Sequence, residues 1–169
     1  MKLRTFDPDK DFEKIKSWIS DERSHAMWCA GRFQYPLDKK NLLSVLSKME
    51  QKTGDEPLIA ATDDDKAVGF LCYSLNPDIK EGKLKFVIVD PQYRGKGIAV
   101  EMLHLVISRA FEDEKTKRIA LTVFSENPAA KKCYEKMGFS EIKSDSPDFM
   151  YKEETWGRCN MVIERDIES

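Results

Sequence analysis

Apolar residues recur along this chain with two different periods, and the period marks where each element lies. Phe12, Ile15, Trp18 and Ile19 fall three or four apart behind Asp7-Pro8-Asp9, which predicts a helix opened by an acidic cap and a proline. Leu42, Val45, Leu46 and Met49 repeat the spacing within Leu37 to Lys52, a second amphipathic helix. Between them, Asp21 to Tyr35 shows neither period and reads as irregular. Short apolar runs predict strands at 3–6, 58–61 and 68–73, the last two joined by a solvated hairpin turn at Asp63-Asp64-Asp65-Lys66. That acidic run lacks the spaced oxygen ligands of a metal loop. The second half alternates plainly: strand 83–89, helix 97–111, strand 118–124, helix 128–137 stopped by Gly138, and final strands at 139–142 and 158–163. Six or seven strands with about four helices predict a mixed α/β or α+β sheet.

No repeat, low-complexity tract or linker interrupts the pattern, so residues 1–169 are expected to form one domain. With 41% hydrophobic residues, a chain of this length builds a core without disulfides or a structural metal. Charged residues reach 34%, yet 28 Lys+Arg against 30 Asp+Glu leave a net charge of −2, which argues against a nucleic-acid coat protein. Lys115, Lys117 and Arg118 are interleaved with acids and form no basic stripe. No run approaches the ~18 to 20 apolar residues of a membrane helix, and Met1-Lys2-Leu3-Arg4 leads into Asp7-Pro8-Asp9, not an apolar secretory segment. Cys29, Cys72, Cys133 and Cys159 form no CxxC and adjoin no histidine cluster, so neither a disulfide framework nor a zinc site is expected. The reading is a soluble cytoplasmic protein, monomer or homodimer, with no metal, nucleic-acid or membrane partner.

The segment from Lys83 to Ala99 carries the most chemistry. It reads as a strand, a turn bearing Gly95 and Gly97, and a helix opening near Gly97. Backbone N–H groups at a helix start lack intrahelical partners and suit an anion, glycines let a phosphate approach, and Arg94 and Lys96 add positive charge. A P-loop is excluded because Lys96 lies between the glycines and Ile98 follows them. A Rossmann turn is disfavoured by Val100 at its third glycine position and by the long Asp90-to-Arg94 approach.

The spacing Gln92-x-x-Gly95-x-Gly97, with Ala99 beyond it, resembles the acetyl-coenzyme A pyrophosphate loop of the GNAT superfamily of N-acetyltransferases. The run from Asn127 through Ala130 and Tyr134 to Gly138-Phe139 resembles the second motif of that family, in the same order. Together the motifs occupy about a third of the chain. The resemblance implies the GNAT fold, a mostly antiparallel sheet whose two central strands run parallel and splay apart. It implies acetyl-CoA as cosubstrate and direct acetyl transfer to a primary amine, on a small molecule or a peptide N-terminus. A non-catalytic acyl-CoA sensor with the same fold is the alternative.

By the same resemblance, backbone groups at Phe86, Val87, Ile88 and Val89 would hold the pantetheine arm. Arg94, Gly95, Lys96, Gly97, Ile98 and Ala99 would hold the phosphates, and Asn127 would cap its helix and touch the cofactor. Tyr134 would be the general acid for the departing sulfur; on pattern alone it is an aromatic of an amphipathic helix. Cys133 reads as packing. Several family members carry a glutamate on the strand before the phosphate loop. Lys83 to Val89 holds no acid, which leaves Glu81 as a candidate base or an exposed turn residue. His25 is a second candidate base or an exposed loop histidine. An α-amine of pKa ~8 costs only about 1 kcal/mol to deprotonate at pH 7, against about 4.6 for a lysine-like amine, so the former needs little help. The acceptor wall is expected to draw on Trp28, Cys29, Arg32, Tyr35 and Trp156, with Asp145, Asp148, Glu153 and Glu154 available to attract a cation.

Overall fold

The computed structural model describes residues 1–166. Its order is β1 (Lys2–Thr5), α1 (Pro8–Trp18), α2 (Glu22–Cys29), α3 (Lys39–Thr53), β2 (Glu56–Ala61), β3 (Ala67–Asn76) and β4 (Glu81–Val89). A 3-10 turn at Pro91–Tyr93 leads to α4 (Ile98–Glu112), β5 (Arg118–Phe124), α5 (Pro128–Met137), β6 (Ser140–Ile142), β7 (Phe149–Tyr151), β8 (Glu154–Trp156) and β9 (Arg158–Glu164). Seven strands form one sheet in the order β1-β2-β3-β4-β5-β9-β6, and β7-β8 is a separate hairpin. Every pairing is antiparallel except β4 with β5.

Alternation along the strands feeds two cores. In β2, Ile59 and Ala61 join Phe12, Ile15, Leu42 and Leu46 on the side of α1 and α3, whereas Leu58 and Ala60 join Met102, Leu103 and Val106 of α4 on the other. Side-chain caps start the helices: Asp7, Asp21, Asp38 and Asn127 each accept from a backbone N–H of the first turn, a contribution of about 1 kcal/mol apiece. Gly138 ends α5 at φ 107, donating its N–H back into the last turn.

The segment Asp21 to Tyr35 is not wholly irregular, because its first half is α2. This helix is eight residues long and buries only His25, Ala26 and Cys29, too few apolar positions to show a helical period. The short strands β7 and β8 also lie outside the sequence reading. Trp156 at the end of β8 is fully buried with Phe124 and Ala26, which pins the hairpin over β5 and α2.

The parallel strands β4 and β5 pair over Glu81 to Lys83 against Arg118 to Ala120, and no further. The cause sits in β4. Its register against β3 slips between Phe70 and Cys72, and Phe86 adopts φ 56. Leu84 and Phe86 have the same parity, yet Leu84 enters the α4-side core and Phe86 the opposite one. A bulge of this kind bends its strand and increases the local twist, here carrying β4 away from β5. A left-handed conformation at a bulky residue costs about 1 to 2 kcal/mol. Two contacts offset it: the Trp28 indole Nε1 donates to the Phe86 carbonyl at 2.9 Å, and the Phe33 ring lies 4.7 Å from the Phe86 ring.

Replacing Trp28 by Phe keeps a ring but leaves the half-buried Phe86 carbonyl without its donor. The expected loss is about 1 to 2 kcal/mol of unfolding free energy in a denaturant titration; an unchanged midpoint and slope would show that the bulge holds without this bond.

Candidate active site

The splay opens two connected spaces. The larger, about 820 Å³, runs from the α1–α2 junction past Val87, Ile88 and Val89 to the glycine turn and the start of α4. The smaller, about 330 Å³, lies between the end of α2, the diverging halves of β4 and β5, and Arg158 of β9. Met27, Trp28, Val87, Asn127, Ala130 and Tyr134 line both and so form their common throat.

The glycine turn is shaped to leave donors free. Gly95 and Gly97 sit at φ 76 and 77, a region other residues enter only with strain. A Cβ at either would meet no atom within 4 Å, so within the protein it is the backbone angle, not crowding, that calls for glycine. Gly97 begins α4 without a side-chain cap. Among the described residues, no backbone or side-chain acceptor takes the N–H groups of Gly95, Gly97, Ile98, Ala99 or Val100, and all five of these residues line the larger space. Arg94 lines it too, while the Lys96 ammonium sits 5.3 Å over the Tyr93 ring and lies outside the lining. Beyond Lys83, the edge of β4 that faces β5 has no strand partner. The Phe86 carbonyl already accepts from Trp28, and Val87 to Val89 line the larger space.

Tyr134 occupies the throat. Its ring packs edge-on against Phe139 with centroids 5.9 Å apart, and among the described residues no protein group hydrogen-bonds its hydroxyl. Burial, and then the neighbouring Cys133, push the phenol well above its ordinary value, so the proton stays on at any working pH. Asn127 caps α5 by accepting from the Ala130 N–H at 3.2 Å and also lines the throat. Cys133, read as packing, faces the larger space as well as the α4-side core.

Neither candidate base reaches the throat. Glu81 lies at the closed end of the splay, bonded to Arg118 Nε at 2.6 Å, and lines neither space. His25 is 2% exposed, wedged beside Tyr35, Trp28 and the Cys29 sulfur, and also lines neither. Burial holds its pKa below the usual histidine value, partly offset by a hydrogen bond to the Gln34 backbone. Tyr35 and the buried Trp156 line neither space, whereas Trp28, Cys29 and Arg32 line the smaller one. Burial pushes the Cys29 thiol up, which keeps it a poor nucleophile. Asp145, Asp148, Glu153 and Glu154 line neither space, and Glu154 is bonded to Arg23 at 3.0 Å. Met27 and Arg158 fall within the segments expected to wall the acceptor, Ser20 to Tyr35 and Tyr151 to Arg158, whereas Lys83 and Lys85 were missed; their alternation along β4 was the available sign of a cationic face.

The family model for acetyltransferases of the GNAT family matches residues 8–139. The chain belongs to this family. A spermine/spermidine N(1)-acetyltransferase of Bacillus subtilis is 36% identical over 95 residues, covering 51% of this chain and 62% of the relative. An N-acetyltransferase 9-like protein of Caenorhabditis briggsae is 28% identical over 141 residues, 82% of this chain and 60% of the relative. The chain thus spans about three-fifths of the length of these relatives. Among solved structures, spermidine N-acetyltransferase from Vibrio cholerae, in complex with CoA and spermine, superposes with a TM-score of 0.79 at 19% identity, covering 96% of this chain and 94% of that one. At that identity the likeness concerns the GNAT fold, which this chain has: among the described residues, seven strands in one sheet and five helices, where six or seven strands and about four helices were expected. Among the described residues no helix is long and apolar enough to cross a membrane, and no three His, Cys, Asp or Glu converge as a metal site.

The buried, neutral His25 makes stability depend on pH with a definite sign. Its folded pKa lies below the unfolded value of about 6.5, so its contribution is complete above that value and is lost as pH falls through the folded pKa. Thermal melts at pH 7, 6 and 5 should show a falling midpoint, and His25→Leu should make the fall smaller; an identical fall in both proteins would show that His25 does not titrate there.

Proposed function

We propose that this chain is an acetyl-CoA-dependent N-acetyltransferase that moves the acetyl group directly to a primary amine. The observation that carries the reading is the shared throat, where the larger space with its free donors meets a second space at Val87 and Tyr134. Acetyl-CoA, when bound, supplies a thioester carbon open to attack by an amine. The free N–H groups of the glycine turn, with Arg94, suit its phosphates, and the unpaired edge of β4 at Val87 to Val89 suits its amide-bearing arm. Tyr134 holds a proton at the throat and can give it, or a hydrogen bond, to a departing thiolate.

The throat residues include no carboxylate and no imidazole. The lining carboxylates, Asp21 and Glu126, stand on the larger space outside the throat, so the acceptor amine loses its proton to water in the open cleft, which favours amines of modest basicity. The same feature supports a second reading, a non-catalytic acyl-CoA sensor. Release of CoA thiol with any amine in a steady-state assay would exclude the sensor.

Isothermal titration should show acetyl-CoA binding below millimolar concentration; no binding there would remove the proposal. Tyr134→Phe should bind acetyl-CoA as before and slow turnover roughly ten- to a thousandfold, the range of general-acid effects. Full turnover in that variant would take Tyr134 out of the mechanism. Gly97→Val, forced into a left-handed backbone at a cost of about 1 to 2 kcal/mol or out of it, should melt a few degrees lower yet stay folded at assay temperature, and should lose acetyl-CoA affinity; retained affinity would show that the turn does not hold the phosphates.

A further inference from the structure

The smaller space has a charge that the relatives' names do not suggest. Its charged lining consists of Arg32, Lys83, Lys85 and Arg158, and no carboxylate lines it. Lys85 is answered by Asp55, with Nζ 3.1 Å from the carboxylate. The other three have no ion-pair partner among the described residues. Each is held by neutral groups. Lys83 Nζ donates to Thr122 Oγ1 at 3.4 Å, and the Thr122 hydroxyl donates in turn to Asn160 at 2.7 Å. Arg158 Nη1 donates to the Pro147 carbonyl at 2.8 Å, and its guanidinium lies 5.8 Å over the Phe124 ring. The Arg32 guanidinium lies 5.9 Å from the Phe86 ring. These contacts orient the cations without neutralising them. Desolvation of Lys83 already lowers its pKa, which an incoming anion would reverse.

Three cations around a partly desolvated space of about 330 Å³ repel a polyamine and attract a negative group. The arginines present planar donor forks suited to carboxylate or phosphate. Tyr134 lines this space as well as the larger one, so a molecule seated here adjoins the reacting position. We propose that the acceptor is a small primary amine carrying a carboxylate or phosphate, which Arg32, Lys83 and Arg158 hold while the amine faces the throat. This rests on the acetyltransferase reading above. Asp55 is turned toward Lys85, Glu81 toward Arg118 and Glu154 toward Arg23, while the two carboxylates of the larger space, Asp21 and Glu126, accept from the Ser24 N–H and the Ser125 hydroxyl and lie outside the lining of the smaller one.

The test is CoA thiol release from acetyl-CoA with three acceptors: spermidine, glutamate as the carboxylate arm, and O-phosphoethanolamine as the phosphate arm. At least one anionic arm should exceed spermidine in kcat/KM by tenfold or more, and the better arm identifies the anion. Arg32 is exposed, so Arg32→Glu should fold. It should raise the KM of the favoured anionic amine at least tenfold with the calorimetric acetyl-CoA affinity unchanged, and Arg32→Lys should restore most of the loss. Spermidine used as well as both anionic amines, acetyl-CoA binding without transfer to either anionic amine, or an Arg32→Glu variant with an unmoved KM would each overturn the anionic acceptor and leave acetyl-CoA binding standing. Absence of acetyl-CoA binding would instead remove the acetyltransferase reading itself.

Discussion

The hydrogen bond from the Trp28 indole to the Phe86 carbonyl ties the two halves of the molecule to one distortion. Phe86 sits at φ 56, and the shift it introduces sends Leu84 and Phe86 into opposite cores. β4 then leaves β5 after Lys83, and both spaces of the site open in the gap. Without the distortion, β4 would remain in register beside β5, its edge would be paired, and the throat at Val87 and Tyr134 would close. A helix that looks like a minor connection, α2, is therefore what holds the gap: it brings Trp28 to the bulge and lines the smaller space with Cys29.

What the sequence shows and what it hides differ for a physical reason. Helix α5 from Pro128 to Met137 and strand β5 from Arg118 to Phe124 were legible to the residue, because Asn127, Pro128 and Gly138 act locally and the strand's apolar residues are contiguous. The glycine turn at Gly95 and Gly97 was legible for the same reason. The bulge was not, since Leu84-x-Phe86-x-Ile88 looks like an ordinary alternation and only the register against β3 exposes the slip. The fate of His25 and Glu81 was equally hidden: their chemistry suits a base, but burial under Tyr35 and pairing with Arg118 are tertiary facts.

The near-zero net charge conceals a division of labour in space. Acids dominate the hairpin between β2 and β3, where Asp65 engages Arg4 at 2.8 Å and also Lys10, and Asp63 meets the amino terminus at 3.4 Å. Cations without such partners gather at the site instead, with Arg94 on the larger space and Arg32, Lys83 and Arg158 on the smaller. The sequence left Asp145, Asp148, Glu153 and Glu154 either to attract a cation or to form a plain solvated surface; in the structure they line neither space, and the charged groups of the smaller space are cations. Local electrostatics at a half-enclosed site follow the few groups that face it, not the sum over the chain.

An open strand edge is ordinarily a hazard, since its unpaired N–H and C=O groups invite a strand from another molecule. Here the open edge of β4 lies in the middle of the sheet, flanked by β3 on one side and by the departing β5 on the other. A ligand narrow enough to enter between two strands can reach it, whereas a foreign polypeptide would have to thread the gap under α2 and α5. The fold thus leaves an unpaired backbone edge within reach of small molecules while shielding it from the self-association that the same edge would invite at the sheet border.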